Sequence, residues 1–460
     1  MAASQQAQHG KVRHPPGLYL LFFTEMWERF SYYGMRALLT LYLTTALIGG
    51  GLGFEKSTAL SIYGFFTGAV YFTPLAGGYL SDRFIGRRRA ITIGGLLMAL
   101  GNFVLFAITN KTGLYLGLAL LIIGNGFFKP NISTLVGELY PNNASRKDAA
   151  FTIFYMGINI GAFFAPLVCG YLAEDLFKTS VDGVDHFGFR YGFLAAAVGM
   201  LIGQAIYNGL GNRYLGDIGK AAAGAVSPTS SPSRSEAARA PLTKKEKQRT
   251  AVIVIITCFV IFFWAGFEQA GSSLTLYADK FVNKSLFGWE VPTSWFQSLN
   301  PLFIVILAPI LSSFWVKLAA TKRGDLSIPV KMSFGMILLG IGYMVLLIAV
   351  MQTGSDENNV VVQSNILFIV VTYFLHTLGE LFLSPVGLSM VSKLAPAKLA
   401  SLLMGVWLAS SGVANIVGGY LAAFTQSLGY FEVFGLIGLL AIVMGLILLL
   451  LSGKLVRMME

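Results

Sequence analysis

Ser227-Pro228-Thr229-Ser230-Ser231-Pro232-Ser233, followed by Lys244-Lys245-Glu246-Lys247-Gln248-Arg249, occupies the longest polar stretch of the chain, about 210–250. The Ser/Pro run reads as a flexible linker, and the basic run as a cytoplasmic foot for the helix that follows. On each side lie six apolar segments, each long enough to cross a hydrocarbon core, which takes roughly 20 residues at 1.5 Å rise. They run 18–47, 57–80, 89–109, 113–138, 149–173 and 189–209 before the stretch, and 251–278, 293–318, 329–352, 364–394, 398–427 and 431–451 after it. The pattern predicts an all-α polytopic membrane protein of twelve transmembrane helices in two six-helix bundles. The first bundle spans 18–209 and the second 251–451, with the cytoplasmic linker 210–250 between them. The tails are 1–17 and 452–460. Residues 1–17 lack an apolar h-region, so no cleavable signal peptide is expected.

Composition supports this division. Of 460 residues, 55% are hydrophobic and 12% charged, about half the usual charged share of a soluble domain. A soluble core cannot hide that much apolar surface, which excludes a soluble enzyme, a disordered chain and a disulfide scaffold. A β-barrel would show shorter, alternating stretches, which are absent. The net charge of +11 is an orientation signal rather than a nucleic-acid signal. With the N-terminus in the cytoplasm, 24 of the 33 Lys and Arg residues fall in cytoplasmic segments, six in external loops, and Arg29, Arg36 and Lys129 within spans. The expectation is a multi-pass protein of the cell (inner or plasma) membrane with both termini cytoplasmic. Parallel halves joined by a linker suggest a transporter with its cavity between them.

Seven ionisable residues lie deep within spans: Glu25, Glu28, Arg29, Arg36, Lys129, Glu268 and Glu380. Lipid exposure would cost roughly 2.5–3.5 kcal/mol for each central Arg or Lys, so they should face a wet cavity or one another. Arg36 lies 18 residues after Leu18, and Glu268 lies 18 after Thr250. Lys129 lies 16 residues after Gly113, and Glu380 lies 16 after Ser364. Each basic residue of one half thus has an acidic counterpart at similar depth on the equivalent helix of the other. Arg36/Glu268 toward the outside and Lys129/Glu380 toward the cytoplasm are the gate pairs this spacing predicts. On the first helix, Glu25, Glu28 and Arg29 share one face. Two carboxylates beside one guanidinium in a low dielectric form a candidate proton carrier.

Glu25-x-x-Glu28-Arg29-Phe30-x-Tyr32-Tyr33-Gly34 resembles the ExxERFxYYG motif of the proton-dependent oligopeptide transporter family, a branch of the major facilitator superfamily. Gly77-Gly78-Tyr79-Leu80-Ser81-Asp82-Arg83-Phe84-Ile85-Gly86-Arg87 is similar to the family signature after the second helix. Phe151-Thr152-Ile153-Phe154-Tyr155-Met156-Gly157-Ile158-Asn159-Ile160-Gly161 is similar to that of the fifth. Phe127-Phe128-Lys129-Pro130-Asn131 and Gly379-Glu380-Leu381-Phe382-Leu383-Ser384-Pro385 extend the likeness into both halves.

The resemblance implies the major facilitator fold and proton-coupled symport of di- and tripeptides, working as a monomer in the bilayer with no cofactor beyond the coupling proton. By carry-over, Glu25, Glu28 and Arg29 serve proton coupling, and Glu268 pairs with Arg36 and takes part in the proton cycle. Arg36 and Lys129 receive the peptide carboxylate and Glu380 its ammonium group. Asn159 and Asn300 bind peptide ends or backbone, and Tyr32, Tyr33 and Tyr71 add hydrogen bonds. A dipeptide is a zwitterion whose ends lie only several ångströms apart, so cations in one half and acids in the other complement it. Trp264, Phe267, Trp407 and Ser411 are side-chain pocket candidates. The two extra helices that many bacterial relatives carry between the halves are absent, because 210–250 holds no apolar 20-mer. The second-helix histidine of animal relatives is absent too, and His376, one turn before Glu380, reads as a structural hydrogen-bonding residue.

Two rivals remain. Plant members of the family move nitrate or other small anions, with a histidine where this chain has Glu268. A peptide sensor without transport would bind and show no flux. An enzyme is not expected: HExxH and GxSxG are missing, and the four histidines are scattered at 9, 14, 186 and 376. No metal site is expected. Cys169 and Cys258 are read as free thiols.

Overall fold

The structure, a computed structural model, describes residues 14–141, 144–221, 242–322, 324–354, 357, 360–396 and 399–459. The Ser227–Ser233 run that divides the sequence lies outside the described residues, as do positions 1–13 of the expected N-terminal tail.

Twelve long helices are described. The first six are α1 (Pro16–Thr44), α2 (Lys56–Leu80), α3 (Arg87–Ala107), α4 (Lys111–Glu138), α5 (Ala144–Tyr171) and α6 (Phe189–Leu215). The second six are α7 (Lys244–Phe267), α8 (Leu299–Ala319), α9 (Ile328–Thr353), α10 (Ile366–Leu394), α11 (Ala400–Ala423) and α12 (Tyr430–Met459). Eleven of the long helical segments have the length and apolar composition to cross a membrane. α1 is as long, at 29 residues, but Glu25, Glu28, Arg29 and Arg36 interrupt its apolar run.

Local chemistry sets the helix starts. Proline opens α1, where a missing N–H costs nothing. The Asn110 side chain accepts from Gly113 N at 3.0 Å to cap α4, and that of Asn365 accepts from Leu367 N at 2.9 Å to cap α10. Thr243 and Glu246 form a reciprocal capping box at the start of α7. That box explains a difference from the sequence reading, which placed 244–250 in the linker. Likewise α6 runs to Leu215 rather than 209, and α12 continues through the expected tail to Met459 rather than stopping at 451. Hydropathy marks the stretch that crosses lipid. The helix extends further because its backbone bonds are satisfied internally in water as in hydrocarbon.

The expected seventh span, 251–278, is not one continuous helix. α7 stops at Phe267, a 3₁₀ turn covers Glu268–Gly271, and a short helix follows over Ser273–Phe281. Gly266, Gly271, Ser272 and Ser273 are weak helix formers clustered at the break. A 3₁₀ turn, Thr293–Ser298, also leads into α8.

Each half has its own hydrophobic core, 18–215 supplying nearly all of one and 252–455 the other. Leu276 and Ala422 of the second half join the first core and mark where the halves touch. Glycines allow backbone-to-backbone approach, the usual way membrane helices pack closely. A Cβ at Gly77 of α2 would lie 2.0 Å from the Gly126 carbonyl of α4, and one at Gly64 of α2 would lie 2.6 Å from the Gly419 Cα of α11. The second contact crosses between halves.

The two ends of the bundle are distinguishable. The terminal end holds the start of α1 and the end of α12, with Arg249 Nε donating to Met459 O at 3.0 Å. The far end carries the α1–α2, α5–α6 and α7–α8 connections. It includes the hairpins Thr179–Val181/Val184–His186 and Ser285–Leu286/Trp289–Glu290.

Candidate transport site

A cavity of about 230 Å³ lies between the halves. Tyr33 and Arg36 of α1, Tyr71 of α2 and Asn159 of α5 line it from the first half. Trp264, Phe267 and Glu268 from the α7 segment, Asn300 of α8 and Glu380 of α10 line it from the second. The sequence reading named all nine. Tyr155, Gln297, Tyr373, His376 and Thr377 also face the cavity. Helical spacing points to several of these: Tyr155 is one turn before Asn159, and Tyr373, His376 and Thr377 are seven, four and three residues before Glu380.

Arg36 is the first half's charge on this wall. Its Nη2 is in close contact with Glu268 Oε2, its Nε donates to the Tyr63 hydroxyl at 2.6 Å, and its guanidinium lies 5.8 Å from the centres of the Tyr33 and Tyr63 rings. The break in α7 brings Glu268 there. Thr40 Oγ1 donates to Gly271 O at 2.6 Å, fixing the 3₁₀ turn against α1. A Cβ on Gly271 would lie 1.8 Å from the Tyr63 hydroxyl, so only glycine admits this approach.

Glu380 is only 9% exposed, and its Oε2 accepts from Asn300 Nδ2 at 2.8 Å. The same amide nitrogen reaches Thr377 Oγ1 at 3.1 Å. Among the described residues no cation pairs with Glu380. Lys129, its counterpart by depth, instead stands 4.4 Å from the centre of the Tyr71 ring and does not itself line the cavity. Tyr71 thus separates the ammonium from the space between the halves.

The Glu25/Glu28/Arg29 cluster lies inside the first bundle rather than on the cavity wall. Arg29 Nη2 donates to Glu28 Oε1 at 2.7 Å, Arg29 Nε is in close contact with Glu28 Oε2, and Arg29 Nε lies 3.2 Å from Glu25 Oε1. Asn125 Nδ2 of α4 reaches Glu28 Oε1 at 3.5 Å. The second oxygen of Glu25 is buried without a hydrogen-bond partner among the described residues. Of the two acids, Glu28 is the one Arg29 grips with two nitrogens, and Glu25 is the less satisfied.

Three further sequence candidates stand away from the cavity. Tyr32 is buried and stacks on Phe66 at 6.4 Å. Trp407 packs into the second core, where a Cβ on Gly387 would lie 2.2 Å from its ring. Ser411, on α11 one turn after Trp407, offers its carbonyl to Asn415 Nδ2 at 2.9 Å. An apolar or small residue on a buried helix reads alike whether it faces a core or a cavity, so its face had no signal in the sequence. His376 packs on Tyr343 with ring centres 4.7 Å apart, and its Nε2 has no hydrogen-bond partner among the described residues. Both cysteines are free, and among the described residues no His/Cys/Asp/Glu group has a metal-holding arrangement.

A sequence model described as the POT family matches residues 88–215 and 232–436. An uncharacterized transporter of Bacillus subtilis, YclF, is 37% identical over 98% of this chain and 96% of its own length. A di-/tripeptide transporter of Lactococcus lactis is 30% identical over 97% of this chain and 96% of its own. Among solved structures, a mutant of the peptide transporter POT in complex with alafosfalin superposes with a TM-score of 0.87. It is 35% identical, covering 98% of this chain and 97% of that one.

Proposed function

The chain belongs to the POT family, and from that premise we propose that it is a proton-coupled symporter of di- and tripeptides that works by alternating access. The observation that carries this reading is Glu380, a buried carboxylate on the cavity wall whose described partner is an amide and not a cation. An unpaired acid in a low dielectric is costly and is offset by an arriving ammonium group. Arg36, across the cavity on the first half, supplies the opposite charge for a peptide carboxylate. Lys129 does so as well once it swings past Tyr71. An extended residue spans about 3.3–3.6 Å, so a two- or three-residue zwitterion bridges such walls. The small volume, under the roughly 300–1,000 Å³ of drug-sized sites, agrees with a short cargo. Two acids on the wall oppose nitrate or another small anion as the cargo. The Lactococcus relative named for di- and tripeptides supports the same substrate class.

Glu25 and Glu28 are the proton carriers in this reading, with Arg29 as their partner. Protonation of Glu268 frees Arg36 to meet the peptide carboxylate, so proton and peptide favour the same conformations, which is coupling by population shift. The terminal end faces the cytoplasm, following the distribution of Lys and Arg.

Uptake of labelled dialanine into proteoliposomes, with and without an inward proton gradient, tests the function; no gradient-dependent accumulation of any di- or tripeptide overturns it. Glu25→Gln and Glu28→Gln are expected to abolish concentrative uptake while leaving exchange of labelled peptide. Persistence of concentrative uptake in both removes these two acids from the proton path.

A further inference from the structure

Glu174 belongs to neither gate pair, yet it makes a two-oxygen contact across the halves. It lies in the last turn of the α5 span, Leu172–Leu176, at the far end. Its Oε2 accepts from the backbone N–H of Thr293 at 2.6 Å, and its Oε1 from that of Ser294 at 3.1 Å. These are the first donors of the 3₁₀ turn that leads into α8 of the other half. The start of a helix leaves such donors without intrahelical acceptors and carries positive partial charge. No side chain of the turn's own N-cap residue, Pro292, serves them. One half therefore caps a helix of the other.

The contact is the last rung of a stripe. Phe163, Leu167, Gly170 and Glu174 recur at helical spacing on one face of the α5 segment. Ser298 Oγ donates to Phe163 O at 2.8 Å and Trp295 Nε1 to Leu167 O at 3.0 Å. A Cβ on Gly170 would lie 1.9 Å from Ser294 Oγ. Next to Glu174, Asp175 Oδ2 accepts from Trp289 Nε1 at 2.9 Å. On the α8 side, Lys284 Nζ holds Thr293 Oγ1 at 2.9 Å and Asp279 Oδ1 at 3.2 Å, so the donor pair is anchored within its own half.

We propose that Glu174 is a second closing element of the far end, a positioning residue of the transport cycle that holds α8 against α5 and sets how readily that end opens. The proposal rests on the alternating-access reading. Opening must break both charge-assisted bonds, which are roughly twice as strong as neutral ones, and must lift the whole 293–298 turn off the α5 stripe.

The test is a distance measurement independent of transport. Spin labels at Val181→Cys and Phe287→Cys occupy the exposed hairpins of the two halves, with the exposed Cys258 replaced by serine. Double electron–electron resonance is then read on the full chain in lipid nanodiscs. Glu174→Ala is expected to raise the ratio of long to short distances about tenfold, as loss of charged hydrogen bonds would. Glu174→Gln, which keeps the shape and one acceptor, is expected to fall between it and the parent, and decides alone if the alanine variant does not fold. Parent-like distances in the Glu174 variants, with a shift in Arg36→Ala, overturn the latch and leave alternating access standing. Parent-like distances in all three variants overturn both.

Discussion

At the far end, a cation of the first half touches an acid of the second, and a helix start of the second half is docked along α5. At the terminal end, the matching cation and acid are apart, Lys129 over Tyr71 and Glu380 on Asn300. α8 shows the contrast within one helix: its buried residues are Pro301 and Ile304, both near the far end, and the rest of its length is half-buried or exposed. α11 repeats it. Gly419, toward the far end, is in backbone contact with Gly64, whereas a Cβ on Gly405, toward the terminal end, would meet nothing within 4 Å. The charge pattern is symmetric and its engagement is not. In this structure the charge pair across the halves is closed at the far end and open at the terminal end.

The largest expected break in that asymmetry comes from Arg36→Ala. It leaves Glu268, 8% exposed, without its guanidinium, and removing one partner of a buried pair costs about 3–5 kcal/mol. The far end should open, with the long-distance population of the hairpin labels rising about a hundredfold or more relative to the short one. Peptide uptake should fall in the same variant, because the cation proposed to meet the carboxylate is also gone. Unchanged distances here, with a shift in the Glu174 variants, would mean that the α5–α8 docking alone shuts this end.

A steric wedge gives a smaller effect of the same sign. Gly64→Ala would place its Cβ 2.6 Å from the Gly419 Cα and 3.0 Å from the Asn415 carbonyl, all backbone and unable to rotate away. Overpacking of this kind costs about 1–3 kcal/mol. It bears on the far-end seam, so the long-distance population should rise by about tenfold or more. Gly405→Ala is the matched control on the open stretch of α11, and distances there should not change. Equal responses from the two alanines would show that the seam is packed alike along its length.

The unequal ends also explain what the sequence could convey. Twelve spans and two halves were legible because the apolar windows and the 210–250 stretch are properties of composition. Charged residues in spans were legible because lipid makes them rare, and Arg36, Glu268 and Glu380 all reach the cavity wall. Depth counting placed Arg36 opposite Glu268 because both helices cross the same bilayer. It could not say which pair is engaged, since that depends on the relative position of the halves and not on either helix. Nor could it find the break in α7 or the contacts of Glu174 across the halves. Glu174 resembles any loop acid until the Thr293–Ser298 turn is brought against it from 119 residues away. That Trp407 and Ser411 do not line this cavity had no signal for a related reason: helix rotation decides between core and cavity, and uniformly apolar membrane helices carry little record of rotation.

Lys129→Ala provides the smallest change and the opposite sign. In this form no carboxylate among the described residues lies within ion-pair reach of Lys129. What it loses is its contact with the Tyr71 ring, about 0.5–2 kcal/mol for a cation over an aromatic face. If Lys129 meets Glu380 when the terminal end closes, the substitution takes more from that other form than from this one. The ratio then moves further toward the form shut at the far end. Measured in the Gly64→Ala background, where the long-distance population is raised, Lys129→Ala should lower that population several-fold, by about tenfold at most. Glu380→Ala should act in the same direction, because either loss dissolves the same pair. A rise, or no movement, in both variants would remove the terminal-end pair from the gate while leaving the far-end pair untouched. The two ends would then differ in kind, with a charged lock at one and only helix packing at the other.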